Sequence, residues 1–147
     1  MILSNPAATH ALGVRLADVV RAGDVITLIG PLGAGKTSIA RGLLAALGLF
    51  GEAPSPSFAI VQPYAPPEVR LPVLHIDLYR IDDPAEIDEL GLDDAREDSL
   101  LLIEWPEHAG PDAWQDALRL TLAVSQDGGR VLTAVVPAAW EDRWSRI

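Results

Sequence analysis

The sequence predicts a three-layer α/β domain whose central sheet mixes parallel and antiparallel strands. Three observations predict it. Asp24-Val25-Ile26-Thr27-Leu28-Ile29 and Leu100-Leu101-Leu102-Ile103 are short, almost wholly apolar runs, as strands are when both their faces are covered. Leu118 to Val124 and Arg130 to Val136 flank Gln126-Asp127-Gly128-Gly129, the pattern of an antiparallel hairpin. Between these runs, apolar residues recur at helical spacing. At 147 residues the chain is long enough for one good core and too short for two, so 1–147 reads as a single domain.

Taken in order, Asn5-Pro6 opens a helix through about Arg21, with Leu12, Leu16, Val19 and Val20 on one face. Ala22-Gly23 ends it, and the first apolar strand follows at once. A second helix begins near Lys36, with Ile39, Leu43, Ala46 and Leu47 in phase. Gly48 to Ser57 is a loop rich in Gly, Pro and Ser. Ala59 to Tyr64 reads as a strand closed by Pro63 and Pro66-Pro67, and Val73 to Asp77 as another. Asp83-Pro84-Ala85-Glu86 is a helix start, with an Asp cap, Pro in the first turn and Glu three residues on. The hairpin follows the second apolar strand, and a short helix begins at Pro137.

Composition narrows the function classes. Apolar residues make up 49% of the chain, so it is globular. It has no cysteine, which excludes disulfides and thiolate metal sites. No apolar run reaches membrane-spanning length and no basic-then-apolar leader opens the chain, so the expectation is a cytoplasmic protein away from membranes. The formal net charge of −10 argues against autonomous binding to a nucleic-acid backbone, because little counterion release is available. Asp82, Asp83, Glu86, Asp88, Glu89, Asp93, Asp94, Glu97 and Asp98 face only Arg96 in one short stretch. Such a run is ordinarily a solvated face; an acidic docking surface is the alternative.

The chain uses lysine once among its eleven Lys and Arg residues, inside Gly30-Pro31-Leu32-Gly33-Ala34-Gly35-Lys36-Thr37. This is G-x-x-x-x-G-K-T, the phosphate-binding P-loop, here standing between a strand and a helix as that motif requires. Its glycines let backbone N–H groups turn inward, and the following helix adds the positive end of its dipole. A compact ammonium fits such a loop where a planar guanidinium would not. Gly33, Ala34, Gly35, Lys36, Thr37 and Ser38 are the candidate nucleotide-binding residues. With this motif the fold class becomes a minimal P-loop NTPase.

A P-loop needs Mg²⁺ and groups to hold it. Thr37 supplies a hydroxyl by its position after the lysine. Two carboxylates end apolar runs, Asp77 in His75-Ile76-Asp77-Leu78-Tyr79-Arg80 and Glu104 in Leu102-Ile103-Glu104-Trp105-Pro106. Asp77, the shorter, is assigned the metal contact, direct or through water. Glu104 orients the attacking water or completes the metal's outer shell. Lys36, Asp77 and Glu104 are thus the catalytic candidates. Ser57, in Ser55-Pro56-Ser57-Phe58, can reach the γ-phosphate and Mg²⁺ as switch loops do; a proline-ordered surface turn is the alternative. His75 reads as a strand-packing residue rather than a base. Arg80 either neutralises phosphate charge or pairs with the acidic stretch. Trp140 and Trp144 read first as core and second as a docking surface.

The same residues carry a resemblance. The strand and P-loop from Thr27 to Thr37, Arg41-Gly42-Leu43, Ser55-Pro56-Ser57-Phe58, His75-Ile76-Asp77-Leu78-Tyr79-Arg80 and Ile103-Glu104-Trp105-Pro106-Glu107 resemble the TsaE (YjeE) family, spanning Ala8 to Glu107. That family comprises small bacterial ATPases needed to make N6-threonylcarbamoyladenosine in tRNA. The resemblance implies ATP and Mg²⁺ as ligands, the TsaB–TsaD pair as partner, and tRNA met only through that pair. It also implies an adenine site near the first helix, at Thr9. Two residues depart from the family pattern. Pro31 stands where Asp or Glu is usual, at a solvent-facing position. Ser57 replaces the usual Thr, keeping the hydroxyl and losing the methyl that restricts its rotamer.

Two other classes compete. Small P-loop kinases begin with the same strand, loop and helix, but carry an arginine-rich lid, and no clustered arginines follow Arg80. A nucleotide-dependent binding module would share the loop without hydrolysis. A GTPase is disfavoured, because an N-K-x-D guanine reader needs a second lysine.

Overall fold

Val25–Ile29 (β2) and Leu100–Glu104 (β5) lie side by side, parallel, with Val25 opposite Leu101 and Leu28 opposite Glu104. The two apolar runs are therefore the middle of the sheet. The structure, a computed structural model, describes residues 1–56 and 60–147. Its remaining strands are Ile2–Leu3 (β1), Val61–Tyr64 (β3), Val73–Asp77 (β4), Leu118–Val124 (β6) and Arg130–Val135 (β7). Among the described residues these form one seven-stranded sheet in the order β1-β7-β6-β2-β5-β4-β3. β6, β2, β5 and β4 run parallel, while β7, β1 and β3 join antiparallel at the two edges. The mixed three-layer architecture expected from the sequence is the one observed.

Period-two alternation divides the core between the two faces. Ile26, Leu28, Leu100 and Leu102 face one cluster, with Leu12, Leu16, Ile39 and Leu43 of the helices Pro6–Ala17 (α1) and Lys36–Ala46 (α2). Trp140 completes that cluster from the C-terminal turn before the short helix Glu141–Trp144 (α5). It is 2% exposed, with the Arg143 guanidinium 3.9 Å from its ring, so the core reading of this tryptophan holds. Val25, Leu101 and Ile103 face the other cluster, with Ile87 and Leu92 from the helices Ala85–Asp88 (α3) and Leu92–Arg96 (α4). α1 and α2 approach so closely that a Cβ on Gly13 would overlap the Ile39 carbonyl and lie 2.8 Å from Leu43 N. Glycine at that crossing is a packing requirement.

Local predictions miss where tertiary contacts intervene. The first helix ends at Ala17, not Arg21. The Ala17 carbonyl accepts from Arg70, the Val19 carbonyl from Arg143 Nη1 at 3.0 Å, and Arg21 N donates to Asp24 Oδ2 at 2.7 Å. Backbone groups that another turn would use are thus taken from outside. Asp83 caps its helix as expected, accepting from Ala85 N at 3.0 Å. That helix is broken after one turn, however, and resumes beyond Gly91, at φ +65°. β1 and the 3₁₀ turn Pro106–Ala109 were not expected. β3 begins at Val61; Ala59, its expected start, lies outside the described residues.

Candidate functional site

The loop from Gly30 to Gly35 joins β2 to the first turn of α2, where Gly35 sits at φ +110°, a conformation L side chains rarely adopt. Lys36 follows directly and is only 5% exposed. Its ammonium donates to the carbonyls of Gly30 and, at 3.1 Å, Pro31, and lies 4.2 Å from the centroid of the Trp105 ring. Burial pushes its pKa below the usual lysine value, opposed by the carboxylates of Glu104, Glu107 and Asp77. Pro31, the departure from the family pattern, is exposed as expected.

The parallel register of β4 and β5 sets Asp77 directly opposite Glu104. The two strand-end carboxylates, remote in sequence, are therefore neighbours beside the loop, at the C-terminal ends of parallel strands where α/β sheets bind ligands. They have different surroundings. Glu104, 3% exposed, faces the Thr37 hydroxyl at 3.4 and 3.5 Å and receives His75 Nε2 at 2.7 Å. Asp77 Oδ1 accepts from Tyr79 N at 2.9 Å. Burial raises the Asp77 pKa above the ordinary carboxylate range; the Tyr79 bond opposes this and the Glu104 charge adds to it.

Two cavities meet at the loop. One, of about 350 Å³, is lined by Gly33 to Ser38 together with Ser55, Asp77, Arg80, Glu104 and Trp105. The other, of about 230 Å³, lies between the loop, the start of α1 and the β6–β7 hairpin; Asn5, Thr9, Ser38 and Gly128 line it. Lys36, Thr37, Asp77 and Glu104 thus share the first cavity, while Thr9 lines the second. Gly33, Ala34, Gly35 and Ser38 line both. Ser57 lies outside the described residues. Among the described residues, no three His, Cys, Asp or Glu side chains cluster tightly enough to hold a metal ion unaided. A hydroxyl and two carboxylates nonetheless make a hard-oxygen donor set of the kind Mg²⁺ takes, with water and phosphate oxygens filling the remaining positions.

A larger cavity, about 800 Å³, lies away from the loop, between α3, α4 and residues 109–116. Asp88, Asp93, Asp94 and the Arg96–Asp116 ion pair line it. It has no loop of inward N–H groups and no lysine, so volume is a poor guide to the chemistry here. All nine acidic residues from Asp82 to Asp98 are exposed. No helix among the described residues is long and apolar enough to cross a membrane.

His75 is the residue that sequence reasoning undervalued. It is fully buried in a strand, as expected, but its ring is bonded to Glu104. The available signal was the H-x-D alternation, which sets His75 and Asp77 on one side of a strand.

The model of the family "Threonylcarbamoyl adenosine biosynthesis protein TsaE" matches residues 3–132. The chain belongs to the TsaE family. Over 137 residues it is 38% identical to the tRNA threonylcarbamoyladenosine biosynthesis protein TsaE of Streptomyces coelicolor, covering 91% of this chain and 92% of that protein. The TsaE protein of Bacillus subtilis is 35% identical over 130 residues, covering 88% of this chain and 80% of that protein. Among solved structures, Bacillus subtilis YdiB superposes with a TM-score of 0.82 at 29% identity, over 99% of this chain and 93% of that one. Fold and family agree over nearly the whole length.

Proposed function

We propose that this chain is the ATP-hydrolysing component of the machinery that makes threonylcarbamoyladenosine in tRNA, and that it acts on a TsaB–TsaD complex to support its turnover. The pathway is supported by the names of its relatives. The ATPase activity rests on one observation above all: Lys36 and Thr37 share a cavity with two strand-end carboxylates, Asp77 and Glu104. In this reading the N–H groups of Gly33 and of Gly35 to Ser38 receive the phosphates and Lys36 adds its charge. Thr37 and Asp77 would hold Mg²⁺, with Glu104 in its outer shell; when bound, the ion would neutralise phosphate charge. Glu104, fixed by His75, also orients the attacking water. Phosphoryl transfer asks for positioning and charge stabilisation more than for covalent chemistry, which suits so small a site. Thr9 lines the neighbouring cavity, where the adenine would lie. The net charge of −10 leaves the tRNA to the partners.

ATP hydrolysis measured with and without purified TsaB–TsaD tests this. Turnover that rises with the partner supports the proposal. Turnover absent in both conditions would make the chain a binding module, and phosphate appearing on an added acceptor would make it a kinase.

A further inference from the structure

Arg130 opens β7, where it pairs with Val124 of the hairpin and with Leu3 of β1. Its guanidinium reaches no carboxylate within bonding distance among the described residues; it donates instead to four main-chain carbonyls on two loops. Nε donates to Ala34 O at 2.9 Å and Nη2 to Gly33 O at 3.1 Å, both in the phosphate-binding loop. Nη1 donates to Gly128 O at 2.8 Å and Gly129 O at 3.1 Å, in the hairpin turn. That turn is braced independently, since Ser125 N donates to Gly129 O at 3.0 Å and Gly129 N to Asp127 Oδ1 at 3.1 Å. The guanidinium therefore ties the phosphate loop to a part of the fold that is already fixed.

A trans peptide points its carbonyl and its N–H in opposite directions. Holding the Ala34 carbonyl against Arg130 therefore turns the Gly35 N–H the other way. At a glycine free to adopt many backbone conformations, that orientation needs an external hold. We infer that Arg130 is a positioning residue for nucleotide binding: it holds the Ala34 carbonyl outward so that the Gly35 N–H is pre-arranged for phosphate, and its bond to Gly33 O anchors the same loop, whose Ala34 N–H is taken up by Pro31 O at 3.1 Å. This rests on the proposed ATP site. A guanidinium is the group suited to the task, because its planar fork bonds several carbonyls at once; an ammonium of similar reach bonds fewer, without fixed directions. Pre-arranged donors bind more tightly because the ordering cost is met before the ligand arrives.

Calorimetric titration of the full chain with Mg²⁺-ATP, for the wild type, Arg130→Ala and Arg130→Lys, tests the inference. Arg130→Ala is expected to bind about tenfold or more weakly, with Arg130→Lys in between. Added guanidinium ion at millimolar concentration is expected to restore affinity to Arg130→Ala and leave the wild type unchanged, and the same loss is expected with inorganic tripolyphosphate, which has no adenine to meet Arg130 in the second cavity that it also lines. Should Arg130→Ala fail to fold, Arg130→Lys alone decides, and wild-type affinity in it overturns the inference. So does wild-type affinity in a folded Arg130→Ala, or a loss that guanidinium does not relieve. If the wild type itself binds no ATP, the nucleotide reading falls first and takes this one with it.

Discussion

His75 Nε2 lies 2.7 Å from Glu104 Oε2, and the two side chains are 0% and 4% exposed. In the form that would serve a metal site Glu104 is a carboxylate, which only accepts, and Nε2 is then the donor. The ring's other nitrogen is buried and has no partner among the described residues. The histidine is thus committed to one task, holding Glu104 beside Thr37. It follows from the register: Asp77 is opposite Glu104, and His75 stands one pleat back on the same side.

Removing that hold separates orientation from binding. His75→Ala is expected to lower ATP turnover at saturating substrate while leaving ATP affinity within about twofold. It is also expected to cost about 1–3 kcal/mol of stability, because a buried carboxylate loses its donor. His75→Gln, which keeps a donor on a side chain of similar reach, should recover part of the turnover. Turnover equal to wild type in a folded His75→Ala protein would contradict the positioning role.

Lys36 is the cation of the loop. Lys36→Ala is expected to abolish ATP binding or hydrolysis. Lys36→Arg should fail nearly as badly, because the ammonium sits against the carbonyls of Gly30 and Pro31 and the face of Trp105, a space that a planar fork does not fit. Nucleotide affinity measured by calorimetry decides; an unchanged value in Lys36→Ala would remove the loop from the mechanism.

The two carboxylates should separate kinetically. Asp77→Asn is expected to weaken Mg²⁺-dependent nucleotide binding. Glu104→Gln should leave binding largely intact and lower turnover by about tenfold or more. The opposite pattern would exchange the metal and water roles, a result the contact between Glu104 and Thr37 makes worth seeking.

Asp77 also gives stability a pH dependence whose sign follows from its surroundings. Burial raises its folded-state pKa, so between its unfolded value, about 4, and that raised value the folded chain binds more protons than the unfolded chain. This contribution to stability therefore falls as pH rises through that window. Asp77→Asn retains an acceptor for Tyr79 N and carries no charge. It is expected to be more stable than wild type at neutral pH, with the difference shrinking as pH falls towards 4. Urea midpoints recorded across that range would show it; a gap that widens on acidification would refute it.

What the sequence determined by itself is local in its causes. Apolar runs marked β2 and β5, glycines with one lysine marked the phosphate loop, and carboxylates at strand ends marked the candidates Asp77 and Glu104. Each signal is carried by a few neighbouring residues, so periodicity and spacing suffice to read it. The resemblance that named the family rests on the same short motifs. The tertiary structure alone decided which of these groups meet. β6 lies parallel beside β2, and the two-residue β1 pairs with β7, because strand order is set by the packing of the whole sheet. Helix α1 stops at Ala17 because arginines from elsewhere bond the carbonyl of Ala17 and, beyond the helix, that of Val19. His75 bonds Glu104 rather than merely packing, and Arg130 holds the carbonyl of a loop far from it in sequence, because register and crossover bring them within 3 Å. Distances of that kind depend on how distant segments align, and no local period records them.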